Sequence, residues 1–471
     1  MSDLATLSTD EAALPVGDWE FPRLEPRGYV EPRRWPLKRT GYYGGPVKGA
    51  PSTSRQAEIL NGAILESPMQ FEGLLSGVET LSKTPSVNDP FQAYAMGKVD
   101  SANVVTIGDV GVGKSTLMKC DYVLRALTLL GRRVVVVDKK QISPTQPYGE
   151  YTTTAEAADG TRILLALGNP EGVTINILDP ALWQTRDVPG IAGALQVLQQ
   201  TATLLNEGTP LDTWELKALR IALQNGVRQA KDRGRVANIY DVLDHAGVIS
   251  DELHKQLSPS ALERMHEAGL TVRFILERLP EELPGLFDGD TSSSVKLGKK
   301  LTVFDISQLP EDGPAVSIAM MLANAWTLGT IRRSEEGWKT TFCVDEGWFL
   351  VGGPMGKVIQ SNAKLSRNYG LSNVVNIHHI SDIPADDPAV AFIKEAGTMH
   401  LFRQSKADDA VAAAQIAGLK PGAAEQLMTL PKGQHFKKVG LDAEVRIAHF
   451  RSELEKEITD TSAALTGTVT K

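Results

Sequence analysis

The sequence predicts an α/β fold with a mostly parallel sheet, and three neighbouring segments carry that prediction. An apolar run, Asn103–Ile107, leads into a glycine-rich turn. A helical stretch, Lys114–Leu130, follows and stops at Gly131, a residue type common at helix ends. Arg133–Val137 then ends in consecutive valines, the pattern of a strand buried on both faces. Strand, turn, helix and strand in this order build parallel sheets.

Strand and helix patterns alternate along the rest of the chain. Further apolar runs predict strands at Ile163–Leu167, Val173–Ile177, Leu301–Ile306, Thr340–Val344, Ser372–Ile377 and Thr398–Phe402. Helices are predicted at Ala315–Arg332 and Met355–Tyr369. Between residues 190 and 290 strand patterns are missing, and helical spacing marks Ile191–Leu205, Trp214–Gln229, Ile239–His245 and Ala261–Leu279. We therefore expect an all-helical insertion in the α/β core.

Five parts are expected along the chain. They are a proline-rich arm without regular structure (residues 1–55), the first part of the core (56–189), the helical insertion (190–290), the second part of the core (291–452) and a polar tail (453–471). The arm contains a basic segment, Arg33–Arg39. That segment is either a solvated surface or a contact for an acidic partner, a membrane or nucleic acid.

The composition is that of an ordinary globular protein, with 42% hydrophobic and 23% charged residues. A net charge of -8 argues against a surface built for nonspecific DNA binding, although a local basic loop or an oligomer pore would still allow DNA contact. Cys120 and Cys343 suggest neither a disulfide framework nor a metal motif. No apolar run reaches the roughly 20 residues that cross a bilayer, and the start of the chain lacks the features of a signal peptide. A cytoplasmic location is expected.

The glycine-rich turn fits a phosphate-binding loop. Its residues are Gly108, Asp109, Val110, Gly111, Val112, Gly113, Lys114 and Ser115, with Thr116 after them. The glycines of such a loop turn backbone N–H groups toward the phosphates of ATP, helped by the positive end of the following helix. Lys114 is expected to bridge the β- and γ-phosphates, and the Ser115 hydroxyl to bind Mg²⁺. A chance match is the alternative, disfavoured because the required strand and helix flank the motif.

A pair of carboxylates follows a second predicted strand. Thr340–Val344 ends in Asp345 and Glu346. Asp345 is expected to hold Mg²⁺ through water, and Glu346 to orient and polarise the water that attacks the γ-phosphate. A polar strand end without function is the other interpretation. The phosphate-binding loop earlier in the chain favours the catalytic one.

Two histidines follow the strand Ser372–Ile377. If this strand adjoins the two motif strands, His378 at its tip would face the γ-phosphate and report its presence. A zinc site formed by His378, His379 and Asp382 is a rival interpretation. Adjacent residues of a strand point to opposite faces, however, so both histidines rarely reach one ion. A structural histidine with a satisfied hydrogen bond is the third interpretation.

Two arginines are candidates for a finger that reaches a neighbouring subunit. Motor ATPases often stabilise transition-state charge on the γ-phosphate with an arginine supplied by the adjacent copy. Arg367 ends the helix predicted after the carboxylate pair, and Arg403 follows the strand Thr398–Phe402. For each of them, an ordinary surface arginine is the favoured interpretation.

Taken in order, these motifs resemble the conjugative-transfer ATPases of type IV secretion systems, the family related to the HerA and FtsK DNA motors. The resemblance covers Phe91–Phe450. Besides the phosphate-binding loop, it rests on Asp138–Lys140, Gly149–Tyr151, Ile175–Pro180, Leu286–Gly289, Val303–Ile306, Cys343–Trp348, Ser366–Gly370 and Gly433–Gln434. The order of these segments is more specific than any one of them.

The resemblance implies a RecA-like P-loop core with a helical insertion, and ATP with Mg²⁺ as cofactors. It also implies self-association into a ring, expected to be a hexamer. Such subunits work in the cytoplasm, peripherally at the inner face of the membrane, beside a membrane-embedded secretion channel. By the same resemblance Lys114, Ser115, Asp345 and Glu346 keep the roles given above. Arg367 falls where the family has a basic pair.

The chain also departs from the family pattern. Ile377 and His378 stand where the family has Thr-Gln, and the segment Gln141–Tyr148 looks like an insertion. A large N-terminal docking domain is missing, and only the proline-rich arm stands in its place. Direct docking on a channel is therefore less firmly implied than ATP hydrolysis.

Three functions remain open at the level of sequence. The leading one is an ATP-hydrolysing motor subunit that energises a conjugative DNA-transfer or type IV secretion channel. The first alternative is a DNA translocase of the same superfamily, a coupling or packaging motor, which predicts strong stimulation by DNA. The second is a nucleotide-gated scaffold with little turnover, supported by His378 at the sensor position and opposed by an intact Glu346.

Overall fold

The strands and helices follow from a computed structural model that describes residues 72–143, 145–183, 191–296, 300–334, 337–347, 369–380, 383–384 and 387–460. Its strands are β1 Leu74–Glu79, β2 Pro85–Asn88, β3 Val104–Ile107, β4 Arg132–Asp138, β5 Gln141–Ser143, β6 Gln146–Gly149, β7 Thr161–Leu164, β8 Leu301–Asp305, β9 Lys339–Val344, β10 Leu371–Ile377, β11 Thr398–Leu401, β12 Gln434–Val439 and β13 Val445–His449.

The α-helices of these residues are α1 Pro90–Ala95, α2 Lys114–Leu117, α3 Thr152–Ala157, α4 Pro180–Trp183, α5 Ala192–Leu205, α6 Thr213–Asp232, α7 Ile239–Leu243, α8 Asp251–Gln256, α9 Pro259–Glu282, α10 Ala315–Arg333, α11 Pro388–Lys394, α12 Ala407–Ile416, α13 Ala423–Thr429 and α14 Glu453–Thr459. None of the described helices is both long and apolar enough to span a bilayer. Residues 1–71, which include the predicted arm, lie outside the described residues.

Eleven strands form one sheet in the order β2-β1-β13-β12-β11-β3-β10-β9-β4-β8-β7. Every neighbouring pair from β11 to β7 is parallel. The strands β12, β13, β1 and β2 extend this part with antiparallel pairs. The prediction of an α/β fold with a mostly parallel sheet is therefore confirmed. β10 lies between β3 and β9, so the carboxyl ends of these three strands meet at one edge.

The parallel strands are apolar on both faces because helices cover both sides of the sheet. In β4, Val134 and Val136 belong to one core cluster, and Val135 and Val137 to the other. All four side chains are at most 2% exposed. Burying a valine side chain contributes about 1.5–3 kcal/mol of folding free energy relative to leaving it exposed. A strand of four such valines is therefore most stable in the centre of the sheet, where both faces are covered.

The described residues 191–296 contain helices and no strand. α6 begins at a capping box in which Asp212 accepts from the backbone N–H of Glu215 while the Glu215 side chain accepts from Asp212. Leu198, Leu223 and Leu276 are 0% exposed and belong to the same core cluster as one face of the sheet. The amphipathic helices thus bury their apolar faces in a core continuous with that of the sheet.

Two predicted elements differ from the structure. Val173–Ile177 is not a strand. The N–H of Val173 donates to Leu164 at the end of β7, but the N–H of Ile175 donates to the carbonyl of Leu286 and that of Asn176 to the hydroxyl of Thr291, both in loops. The helix predicted at Lys114–Leu130 starts as α2 but continues as a π-helix, Met118–Leu124, and a 3₁₀ turn, Ala126–Thr128. The helix predicted at Met355–Tyr369 lies outside the described residues apart from Tyr369.

The sequence interpretation missed the antiparallel part of the sheet and a small hairpin. Strands β1, β2, β12 and β13 carry polar residues at buried positions, such as Ser76, His435 and Lys437, so they lack a clean apolar alternation. The segment Gln141–Tyr148, which looked like an insertion, contributes to a separate two-stranded hairpin of β5 and β6.

Candidate functional site

The turn between β3 and α2 adopts backbone angles that only glycine accepts easily. Gly111 and Gly113 have φ of 76° and 119°, in the left-handed region. A Cβ atom on Gly108 would lie 2.6 Å from the Cβ of Phe402, which packs beneath the turn. Three of the motif glycines are therefore required by geometry, and the turn delivers the chain into α2 with its backbone N–H groups at the helix N-terminus.

Neighbouring strand ends fix the turn from three sides. The N–H of Gly108 donates to the carbonyl of Ile377 at 3.2 Å, and that of Asp109 to the carbonyl of Arg403 at 3.0 Å. The N–H of Gly433 donates to the carbonyl of Val112 at 3.0 Å. The loop conformation is therefore built by β10, by the segment after β11 and by the segment before β12, independently of the side chains in the loop.

Lys114 is the first residue of α2, and its ammonium group lies inside the turn. Its Nζ atom donates to the carbonyl oxygens of Gly108 and Asp109 at 2.5 and 2.7 Å. The residue is 5% exposed. Burial lowers the pKa of Lys114 to about 8, and the nearby carboxylates of Asp345 and Glu346 oppose that shift. A desolvated cation held by weak backbone acceptors is a strong potential ligand for phosphate oxygens.

Ser115 and Asp345 meet across the gap between β3 and β9. The Ser115 hydroxyl donates to Asp345 Oδ1 at 3.0 Å, and the Asn376 amide in β10 donates to the same oxygen. Asp345 Oδ2 is buried and has no hydrogen-bond partner among the described residues. Burial raises the pKa of Asp345, and the positive charge of Lys119 opposes the rise. A hydroxyl beside an unpartnered buried carboxylate oxygen fits the hard oxygen ligands that Mg²⁺ prefers.

His378 bridges the Lys114 ammonium and the Glu346 carboxylate at this edge. Its Nδ1 atom is 3.1 Å from Lys114 Nζ, and its Nε2 atom is 3.2 Å from Glu346 Oε2. His379 instead approaches Asp409 at 3.1 Å and Asp109 at 4.0 Å. The two histidines thus serve different partners. No group of three or more metal-ligating side chains occurs among the described residues, and Asp382 lies outside them.

Of the two candidate finger arginines, the structure describes Arg403 but not Arg367. Arg403 is exposed, and its carbonyl accepts from Asp109, so it stands beside the phosphate-binding loop of its own chain. Arg367 lies outside the described residues.

Val110, at the top of the turn, is 72% exposed, whereas Val112 is 2% exposed and packs in the core below. Thr116 is half-buried in α2.

A second set of charged residues attaches the β5–β6 hairpin to the core next to the site. Glu150 accepts from Lys119 at 3.1 Å and from Lys140 at 2.7 Å. Burial alone would raise the pKa of Glu150, but these two cations lower it. The backbone N–H of Tyr151 donates to Asp138 at 2.7 Å, at the end of β4. Apart from Lys119, these residues belong to the segments that carried the family resemblance, and here they attach the hairpin to the strands beside Asp345.

Sequence reasoning missed Asn376 and Phe402 as parts of the site. Asn376 was visible as a polar residue within an apolar strand, a pattern that is costly unless the amide finds a partner. Phe402 gave no signal, because an aromatic at a strand end is ordinary. Only the fold shows that Phe402 underlies Gly108 and stacks on His435 with ring centroids 4.8 Å apart.

No protein-family model matches the chain, and no curated protein matches it. Solved structures do match. VirB4 of Thermoanaerobacter pseudethanolicus is 19% identical, with a TM-score of 0.66 over 83% of this chain and 100% of that chain. The bacterial conjugative coupling protein TrwBdeltaN70 is 14% identical, with a TM-score of 0.51 over 81% of this chain and 91% of that chain. The chain therefore has the RecA-like P-loop NTPase fold that these proteins share.

Proposed function

We propose that this chain is an ATP-hydrolysing motor subunit that energises a conjugative DNA-transfer or type IV secretion channel. One observation carries the enzymatic part: Lys114, Ser115, Asp345 and Glu346 converge at the carboxyl ends of β3 and β9, with β10 between them. In open α/β sheets this edge is where ligands bind. The transfer role is supported by the motif order and by the fold shared with VirB4 and TrwB.

The residues divide the chemistry as follows. Backbone N–H groups of the turn and the Lys114 ammonium bind the phosphates and neutralise charge that develops on them. Ser115 and Asp345 hold Mg²⁺, which supplies charge neutralisation at the β- and γ-phosphates when bound. Glu346 accepts a hydrogen bond from the attacking water and orients it. His378 lies within reach of Lys114 and Glu346 and acts as the γ-phosphate sensor. Arg367 is the proposed finger toward a neighbouring copy.

The same proposal includes self-association and location. Copies of the chain form a ring, with a hexamer as the expected number, at the inner face of the cell membrane beside the channel proteins. In mixed oligomers Arg367→Ala should abolish hydrolysis while single subunits still bind ATP. Full activity of that variant would remove Arg367 from the site.

A DNA translocase is the second candidate, because TrwB, which shares the fold, is described as a conjugative coupling protein. That function requires turnover that rises strongly with DNA. The nucleotide-gated scaffold is disfavoured, because Glu346 lies at the site with a hydrogen-bonding partner rather than turned away from it.

Trapping of ATP by Glu346→Gln tests the enzymatic part. The amide cannot polarise water as a carboxylate does, so we expect turnover to fall at least about 100-fold while bound ATP is retained after rapid desalting. Glu281→Gln, an exposed position in α9, is the matched control and should behave like the unmodified chain. Equal turnover in the two variants would exclude Glu346 as the group that activates water.

A further inference from the structure

Phe450 is an exposed aromatic residue near the phosphate-binding turn. It follows β13, is 40% exposed and lies outside the hydrophobic clusters of the described residues. One face of its ring lies against the guanidinium of Arg125, whose central carbon is 5.0 Å from the ring centroid. A single exposed aromatic residue is ordinary on a protein surface, so its position relative to the nucleotide site decides whether it has a role.

Two backbone hydrogen bonds connect the segment of Phe450 to the turn. The N–H of Gly433 donates to the carbonyl of Val112, and the N–H of His449 donates to the carbonyl of Gly433, both at 3.0 Å. Neighbouring extended segments bonded in this way lie about 5 Å apart. Phe450 is the residue after His449, so two such steps separate it from the turn. A ribose and its base can cover a separation of this size.

The order of the strands gives the direction in which a bound triphosphate extends. Asp345 and Glu346 follow β9, so the γ-phosphate belongs on that side of the turn. The nucleoside must then leave on the opposite side, where β11, β12 and β13 follow one another in the sheet. β12 is antiparallel to β11 and β13 to β12, so β12 begins and β13 ends near the carboxyl end of β11. Phe450 therefore lies on the side where the nucleoside leaves.

The backbone of Phe450 is held without help from its side chain. Its N–H donates to the carbonyl of Ser76 at 3.4 Å, and its carbonyl accepts from Arg125 Nη2 at 2.8 Å. The same guanidinium donates to Glu455 and Asp121 at 2.7 and 2.8 Å, which fixes the cation beneath the ring. A substitution of the Phe450 side chain therefore leaves these bonds in place and removes only what the ring itself contributes.

We propose that Phe450 is the platform on which the base of the bound nucleotide stacks. The exposed face of the ring takes the flat face of a purine, and Arg125 supports the opposite face. The base subsite rests on the proposed function, because it belongs to the same nucleotide site. Stacking uses the π-face that every base has, so Phe450 contributes affinity for adenine and guanine alike.

Inorganic tripolyphosphate separates a contact with the base from contacts with the phosphates. It offers the turn and Lys114 a chain of three phosphates but carries no base. Phe450→Leu keeps an apolar side chain and removes the aromatic face, whereas Phe450→Trp keeps an aromatic face. Phe274→Leu is the matched control, in α9, where Phe274 is 64% exposed. The measurements are the Kd of a non-hydrolysable ATP analogue and that of tripolyphosphate, each with Mg²⁺, on full-length protein with matched thermal unfolding.

Phe450→Leu should weaken binding of the ATP analogue about 10-fold, the value of one base stacked on an aromatic side chain. Binding of tripolyphosphate should change by less than about 2-fold, because its contacts lie at the turn. Phe450→Trp should bind the analogue within about 3-fold of the unmodified chain, and Phe274→Leu should match that chain for both ligands. An equal loss for both ligands in Phe450→Leu, or no loss for either, would overturn the base subsite.

Failure of the base subsite is distinguishable from failure of the proposed function. If the unmodified chain binds the analogue but does not hydrolyse ATP, the motor function fails, and the comparison of the two ligands still decides the role of Phe450. If it binds neither ligand, the phosphate-binding assignment fails and the base subsite with it. If Phe450→Leu does not fold, Phe450→Trp decides through the fluorescence of the added indole. The analogue should quench that fluorescence and tripolyphosphate should not, and equal quenching would overturn the base subsite.

Discussion

Lys114 shows how one residue can be essential to a site and unimportant to the fold. Its ammonium group is buried, and burial lowers its pKa to about 8, which marks a charge held at a cost. The turn around it is held by backbone bonds from Gly433 and to Ile377 and Arg403. The Lys114 ammonium adds bonds to the carbonyls of Gly108 and Asp109, but the backbone bonds hold the turn without it.

Lys114→Ala should therefore fold normally and lose nucleotide. We expect affinity for Mg·ATP to fall by about 10- to 100-fold, the value of a charge-assisted hydrogen bond to phosphate, measured by calorimetry. The midpoint of denaturant unfolding should be unchanged. Lys255→Ala, at an exposed position of α8, is the control. Unchanged ATP affinity in Lys114→Ala would remove the phosphate-binding assignment of the turn.

His435 is a residue at which the fold carries a cost. It is 0% exposed in β12, and neither ring nitrogen has a hydrogen-bond partner among the described residues. Burial lowers its pKa to about 3, and the neighbouring His449 adds to the shift. A folded-state pKa below the unfolded value means that the unfolded chain binds more protons between about pH 3 and 6.5. The free energy of unfolding must therefore fall as the pH is lowered through that window.

His435→Phe should remove part of this acid sensitivity. Phenylalanine keeps the stacking on Phe402 and cannot be protonated. Between pH 7.5 and 5 we expect the unmodified chain to lose about 2 kcal/mol more unfolding free energy than the variant, in urea titrations. His254→Phe, at an exposed site, should lose as much as the unmodified chain. Identical pH dependence in His435→Phe would mean that folding does not lower the pKa of His435.

At the scale of elements, the parallel strands were predictable and the antiparallel ones were not. Strands such as β4 and β10 lie between helical layers. Because both of their faces are buried, their sequences are continuous apolar runs. In β12 the buried positions include His435 and Lys437, which only the three-dimensional structure explains. The phosphate-binding turn was predictable because its glycines are required by geometry, whereas the Asn376 and Phe402 contacts depend on strand order.

The π-helix after the phosphate-binding turn is tied to the end of the chain by Arg125. Its guanidinium donates to Glu455 in α14 at 2.7 Å, to Asp121 at 2.8 Å and to the carbonyl of Phe450 at 2.8 Å. Its side chain is 12% exposed, and that of Asp121 is 2% exposed. Through one residue, the helix that leaves the nucleotide site contacts a C-terminal helix far along the sequence.

Arg125→Ala should detach α14 and destabilise the protein. Asp121 keeps its hydrogen bonds with Ser76, Asn88 and His449, so the cost is the loss of the charge-assisted bonds to Arg125, about 2 kcal/mol of unfolding free energy. Hydrogen exchange should rise selectively in residues 453–459. Arg273→Ala, which breaks an exposed i,i+4 pair with Glu277, is the control and should cost less than about 0.5 kcal/mol. Equal costs for the two variants would show that the Arg125 contacts contribute little.

At the scale of the whole molecule, local sequence patterns account for the α/β core but not for its extensions. The alternation of helices and strands predicted the α/β core, and solved structures of low identity show the RecA-like fold. The path of the hairpin, the antiparallel extension and the partnering of His378 arise from long-range packing that no local pattern records.

The proposed function requires this molecule to hydrolyse ATP as a secretion motor. Steady-state hydrolysis by the full-length chain, with and without single- and double-stranded DNA, tests it most directly, with Glu346→Gln as the reference. We expect Mg²⁺-dependent turnover that DNA changes by less than about 3-fold and that the substitution lowers by at least about 100-fold. Strong stimulation by DNA would contradict the secretion-motor assignment in favour of a translocase. Turnover that survives Glu346→Gln would contradict the assignment of the site itself.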